Sequence, residues 1–172
     1  MGQNKISLIF VASLMVFLAG CSGSNDSSNE ENRLDSSSNS TSLLTVYKSP
    51  TCGCCREWID HLKDTGFETD VINRNNLSGI KSKFGIPNKA QSCHTAIYDD
   101  KYFFEGHIPS KLIMQFLESP PENAKGLTVP GMPTGSPGME SGNKFQAYKV
   151  WLMKEDGSFE EYASIERYEQ QF

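Results

Sequence analysis

YKSPTCGCC (47–55) decides how the rest of the chain is read. It closes a short β-type run, Leu43-Leu44-Thr45-Val46-Tyr47, and sets three thiols at the start of a helical stretch. Ser49-Pro50 ends the run and Thr51 is the expected N-cap. The helix is expected from about Cys54 to Thr65, with Gly66 as its stop. Cys55, Ile59 and Leu62 recur at i, i+4 and i+7, one apolar face, with Trp58 beside them.

Working outward, Glu68–Asn73 reads as a second strand and Leu77–Phe84 as a short helix stopped by Gly85-Ile86-Pro87. Thr95–Tyr98 and Tyr102–Glu105 flank Asp99-Asp100-Lys101 as a hairpin. Pro109 opens a helix carrying Leu112, Ile113, Phe116 and Leu117. The order β-α-β-α-β-β-α predicts an α/β domain of thioredoxin-like type. Its first strand delivers a Cys-bearing turn to a helix N-terminus. Residues 126–142 read as a Gly/Pro/Met loop unable to form a helix or a regular strand. Phe145–Met153 and Phe159–Ile165 then flank Glu155-Asp156-Gly157-Ser158 as an added C-terminal β-hairpin.

The beginning of the chain reads differently. Lys5 precedes an apolar run, Ile6–Leu18, that ends in Leu18-Ala19-Gly20-Cys21. That is a secretory signal over residues 1–20, closing in a sequence similar to a bacterial lipobox with Cys21 as the lipidated residue. Ser/Asn-rich residues 21–42 cannot build a core and are expected to tether the domain, 43–172, roughly 25 Å from the lipid. This predicts a lipid-anchored protein of the cell envelope facing the periplasm or the outside. Ser22, lacking the acidic character associated with inner-membrane retention, favours the outer membrane in a Gram-negative host.

Charge narrows the partners. The chain has 16 Lys and Arg against 21 Asp and Glu. Removing residues 1–20 takes away Lys5 and no acid, leaving 15 against 21, a net charge of −6. This charge argues against nucleic acid and anionic headgroups as electrostatic partners.

With Cys21 lipidated, Cys52, Cys54, Cys55 and Cys93 remain, and an even count in an exported chain admits two structural disulfides. Cys52 and Cys55 keep the C-x-x-C register of a redox pair, at a helix terminus that favours thiolate. Cys54 weakens a clean two-electron shuttle, because a third sulfur permits competing disulfides, but it adds a soft donor. Adjacent helical residues point about 100° apart, so Cys54 and Cys55 suit bridging of several ions better than chelation of one. Cys93-His94 lies before the third strand, across from the cysteine-bearing helix terminus in such a fold. His107 is a further candidate ligand, while His61 reads as a solvated helix residue. Met132 and Met139 sit in a loop without core periodicity. Thioether, thiolate and imidazole together select Cu(I) over hard cations, with zinc the lesser alternative.

Six segments, YKSPTCGCC (47–55), Trp58 to His61-Leu62, GIP (85–87), SCHTA (92–96), EGHIP (105–109) and VPGMPTGSPGME (129–140), together resemble the CopG-type proteins. These are small periplasmic metal-binding proteins associated with copper resistance. The resemblance implies a thioredoxin-like fold and copper bound through Cys52, Cys54, Cys55 and Cys93, with His94, His107, Met132 and Met139 assisting. It also implies copper-handling envelope proteins as partners. The expectation is a copper-binding resistance or homeostasis protein, with a thiol–disulfide oxidoreductase using Cys52 and Cys55 as the alternative.

Overall fold

A computed structural model describes residues 43–172. The signal segment, the lipobox cysteine Cys21 and the tether lie outside the described residues. Strands β1 (Leu43–Lys48), β2 (Glu68–Asn73), β3 (His94–Tyr98), β4 (Tyr102–Glu105), β5 (Ala124–Thr128), β6 (Tyr148–Lys154) and β7 (Phe159–Ile165) form one mixed sheet. Its order is β2-β1-β3-β4-β5-β6-β7. The pairs β1–β2 and β4–β5 are parallel, and the other four are antiparallel. The parallel pairs are joined through α1 (Gly53–Asp64) and α3 (Ser110–Glu118), while α2 (Ser78–Lys83) lies between β2 and β3.

Helix α1 buries Cys55, Trp58, Ile59 and Leu62 on one stripe, as the spacing predicts. After it, the Gly66 and Phe67 N–H groups donate back to Lys63 O and Leu62 O at 2.9 and 3.1 Å, which closes the helix end. That stripe and Leu112, Ile113 and Phe116 of α3 share a core with Leu44, Val46, Ala96, Phe104, Leu127 and Val150. A smaller core forms around Phe84, Ile86, Ala90, Ile97, Phe103 and Met153. Ala96 and Ile97, like Phe103 and Phe104, split between the two cores because successive strand residues face opposite sides of a sheet. Among the described residues no helix is long and apolar enough to cross a membrane.

Three expectations need correction. Residues 126–128, expected to open the Gly/Pro/Met loop, instead belong to β5, an interior strand of the sheet. Gly126, which breaks the strand pattern in sequence, is demanded by contact. A Cβ there would stand 2.1 Å from the Phe103 carbonyl oxygen. The N-cap of α1 is Cys52 rather than Thr51, because the helix begins at Gly53 and the Cys52 sulfur accepts the Cys55 N–H at 3.3 Å.

His61 is half-buried rather than solvated, and its Nε2 accepts the Ser110 N–H at 3.1 Å. It thus supplies the cap that Pro109, just outside α3, has no side-chain oxygen to give. Burial, opposed by Asp64, lowers the His61 pKa from its ordinary 6.5. The neutral ring therefore stabilises the fold fully above pH 6.5, and this contribution is lost as pH falls through the lower folded-state value. Replacing His61 with Ala is expected to cost about 1 kcal/mol at neutral pH. Denaturant unfolding between pH 7.5 and 5 checks this. The gap between wild type and variant should close towards acid, and a constant gap would contradict the capping role.

Candidate metal centre

The turn after β1 and the first turn of α1 bring Cys52, Cys54 and Cys55 together. Cys93 arrives from the loop before β3. The four sulfurs lie within 4.8 Å of one another. Cys52 and Cys55 form a disulfide, leaving Cys54 and Cys93 as free thiols. The C-x-x-C register is thus the pairing found, and a two-disulfide framework is not. Cys54 Sγ stands 3.4 Å from Cys52 Sγ, and Cys93 Sγ stands 3.5 Å from Cys55 Sγ.

A second donor group meets the first at Cys93. Its sulfur lies 3.3 Å from His94 Nδ1 and 3.2 Å from His107 Nε2, and these three side chains also group within 4.8 Å. Both imidazoles are fully buried. The Pro137 carbonyl accepts the His107 Nδ1 proton at 2.8 Å. That bond leaves Nε2 as a lone pair facing the sulfur, the tautomer a metal ligand needs. His94 Nε2 is buried without a hydrogen-bond partner among the described residues. A buried unpaired nitrogen carries a desolvation cost of about 1–3 kcal/mol. The His94 ring sits 4.2 Å from the Trp58 ring, whose Nε1 donates to Ile108 O at 2.8 Å.

Burial acts on each of these groups. It raises the Cys93 thiol to about 12, reinforced by the neighbouring Cys54. It lowers His94 well below the usual histidine range, aided by the charges of His107, Lys81 and Lys48. It lowers His107 against the pull of the Pro137 carbonyl. At neutral pH the free site therefore holds neutral imidazoles and a protonated Cys93, so a metal entering there must displace the thiol proton.

The methionine loop reaches the same place. Gly138, at φ +81°, packs so closely on α1 that a Cβ would stand 2.6 Å from both Cys54 O and Trp58 N. Its neighbour Pro137 holds His107, and Ser92 Oγ donates to Gly131 O. Met139 is half-buried and Met132 is 53 % exposed. Spacing in the sequence marks the cysteines and histidines, but carries no sign of the Pro137 carbonyl or the Trp58 ring as supports. With Cys52–Cys55 reduced, the four sulfurs and two imidazoles make a soft donor set, which suits Cu(I) or zinc rather than Mg, Ca or Mn.

These features define a small α/β protein with a thiol-rich centre. Residues 90–139 match the family model described as protein of unknown function, DUF411. Comparison with curated proteins gives no match. Two solved structures, named copper resistance protein copG form 2 and form 1, are each 37% identical to the chain with a TM-score of 0.68. The similarity covers 72% and 73% of this chain and 98% of each of theirs. The chain belongs to the CopG family of copper resistance proteins.

Proposed function

We propose that this chain is a copper-binding protein of the cell envelope that serves copper resistance or homeostasis, on a thioredoxin-like domain extended by β5–β7. In this reading Cys21 carries the lipid and residues 22–42 hold the domain off the membrane. Cys52, Cys54, Cys55 and Cys93 hold Cu(I) as a thiolate-bridged cluster, with His94, His107, Met132 and Met139 completing the shell. The observation that carries the reading is the position of Cys93, whose sulfur belongs both to the four-sulfur group and to the pair of imidazoles. A thiolate has lone pairs enough to bridge two metal ions, and adjacent Cys54 and Cys55 on α1 diverge in the same bridging sense. Copper-handling envelope proteins would deliver or accept the metal. In the disulfide form only Cys54 and Cys93 are available as thiols, so full loading requires prior reduction of Cys52–Cys55.

A second reading is supported by that same disulfide: a thiol–disulfide oxidoreductase in which Cys52 and Cys55 form the working pair. Titrating copper into the anaerobically reduced domain separates the two. The copper reading expects several Cu(I) per chain, with the count lowered by Cys54→Ser and also in the disulfide form. Absence of tight copper binding, with disulfide exchange surviving Cys54→Ser, would replace it with the second reading.

A further inference from the structure

Two of the resembling segments contain polar residues that the donor groups do not use: Ser92 and Thr95 on either side of Cys93-His94, and Glu105 at the end of β4. Glu105 is fully buried and pairs with Lys81, whose side chain is 7% exposed. Lys81 is the one buried residue of α2. A buried ion pair adds little net stability compared with apolar side chains of similar size. Its partners point to a different role.

Glu105 Oε1 accepts from Lys81 Nζ and from the Ser92 N–H, the latter at 2.6 Å. Glu105 Oε2 accepts from Thr95 Oγ1 at 2.7 Å. The Lys81 ammonium also donates to Ser92 O at 3.2 Å and to Thr95 Oγ1 at 3.1 Å. Both backbone polar groups of residue 92 and the side chain of residue 95 are therefore held. The two residues between them are the candidate donors Cys93 and His94. Ser92 Oγ extends the same grip to Gly131, beside Met132.

We infer that the Lys81–Glu105 pair is a positioning device that clamps Ser92 and Thr95 and so presets the Cys93 sulfur and the His94 ring for copper. Neither charged group touches a donor atom, so both act through the clamped backbone. An apolar pair would fill the same space and leave the Ser92 N–H and the Thr95 hydroxyl unheld. Fixing ligands before the metal arrives lowers the ordering cost of binding, the same means by which outer-shell partners raise metal affinity.

The inference rests on the copper reading, and the test separates the two. Cu(I) affinity is measured by chelator competition on the reduced mature chain, for wild type, Glu105→Gln, Thr95→Val and Cys93→Ser. Each of the first two changes is also combined with Cys93→Ser. Glu105→Gln is expected to weaken binding roughly 10–100-fold, the usual effect of losing an outer-shell partner. Thr95→Val, which leaves the ion pair in place, is expected to weaken it a few-fold. In the Cys93→Ser background either change should cost clearly less, because one of the two donors the clamp positions is gone. Unchanged affinity in both folded variants, or equal losses in both backgrounds, would overturn the positioning role. Should Glu105→Gln fail to fold, Thr95→Val alone decides through its own cycle. Wild type that binds no Cu(I) overturns the copper reading itself.

Discussion

Replacing Cys93 with Ser is expected to remove more copper than any other single cysteine change. Its sulfur is the one atom common to both donor groups, so the substitution reduces four sulfurs to three and leaves the imidazoles without a thiolate. Cys54→Ser, by contrast, leaves the Cys93, His94 and His107 group whole. The affinity loss for Cys93→Ser should exceed the roughly 10–100-fold typical of an outer-shell change, because a direct donor is lost. The fold should tolerate the change, since Cys93 is only half-buried and lies in a loop before β3. Copper counting and chelator competition on the reduced domain check this. A Cys93→Ser protein that holds as much copper as Cys54→Ser, equally tightly, would remove Cys93 from its central place.

Trp58→Ala carries the largest expected effect on stability. The side chain is fully buried, and its Nε1 donates to the Ile108 carbonyl. One side of its ring meets His94, and its backbone is the surface on which Gly138 rests. Truncation opens a cavity at the junction of α1, the candidate donors and the methionine loop, at a cost of about 3–5 kcal/mol. Typical domains are stable by only about 5–15 kcal/mol, so the loss is a large share of the total. Trp58→Phe keeps much of the volume but leaves the Ile108 carbonyl unpaired, at about 1–3 kcal/mol. Urea unfolding of the reduced, metal-free domain measures both. A cost under about 1 kcal/mol for the alanine variant would be inconsistent with this packing.

The elements that were legible in the sequence are those specified locally. The stripe of α1, the β2 run, the Asp99-Asp100 hairpin and β7 each show their own period or turn residues, and each is found where that pattern puts it. Strand β5 shows no such signal. It is short, sits in Gly/Pro-rich surroundings, and exists because β4 and β6 pair with it from both sides. The cap on α3 is invisible for the same reason, since His61 and Ser110 are 49 residues apart.

The candidate site divides in the same way. Spacing along the chain marks the thiols and the Cys93-His94 pair, because metal and redox chemistry both require those residue types near a helix terminus. It leaves open which sulfurs pair, and the Cys52–Cys55 disulfide answers that only in three dimensions. The proton position on His107 depends on a carbonyl 30 residues away, and the clamp on Ser92 depends on α2 and β4. Donor identity is therefore local information, whereas donor geometry is tertiary.

In the proposed reading copper sits among the sulfurs, bridged through shared thiolates. X-ray absorption at the copper edge, recorded on the reduced mature domain loaded anaerobically with Cu(I), decides the matter. A first shell dominated by sulfur, together with copper–copper scattering from neighbouring ions, is expected. A first shell of nitrogen and oxygen alone, without sulfur or a second copper, would contradict it.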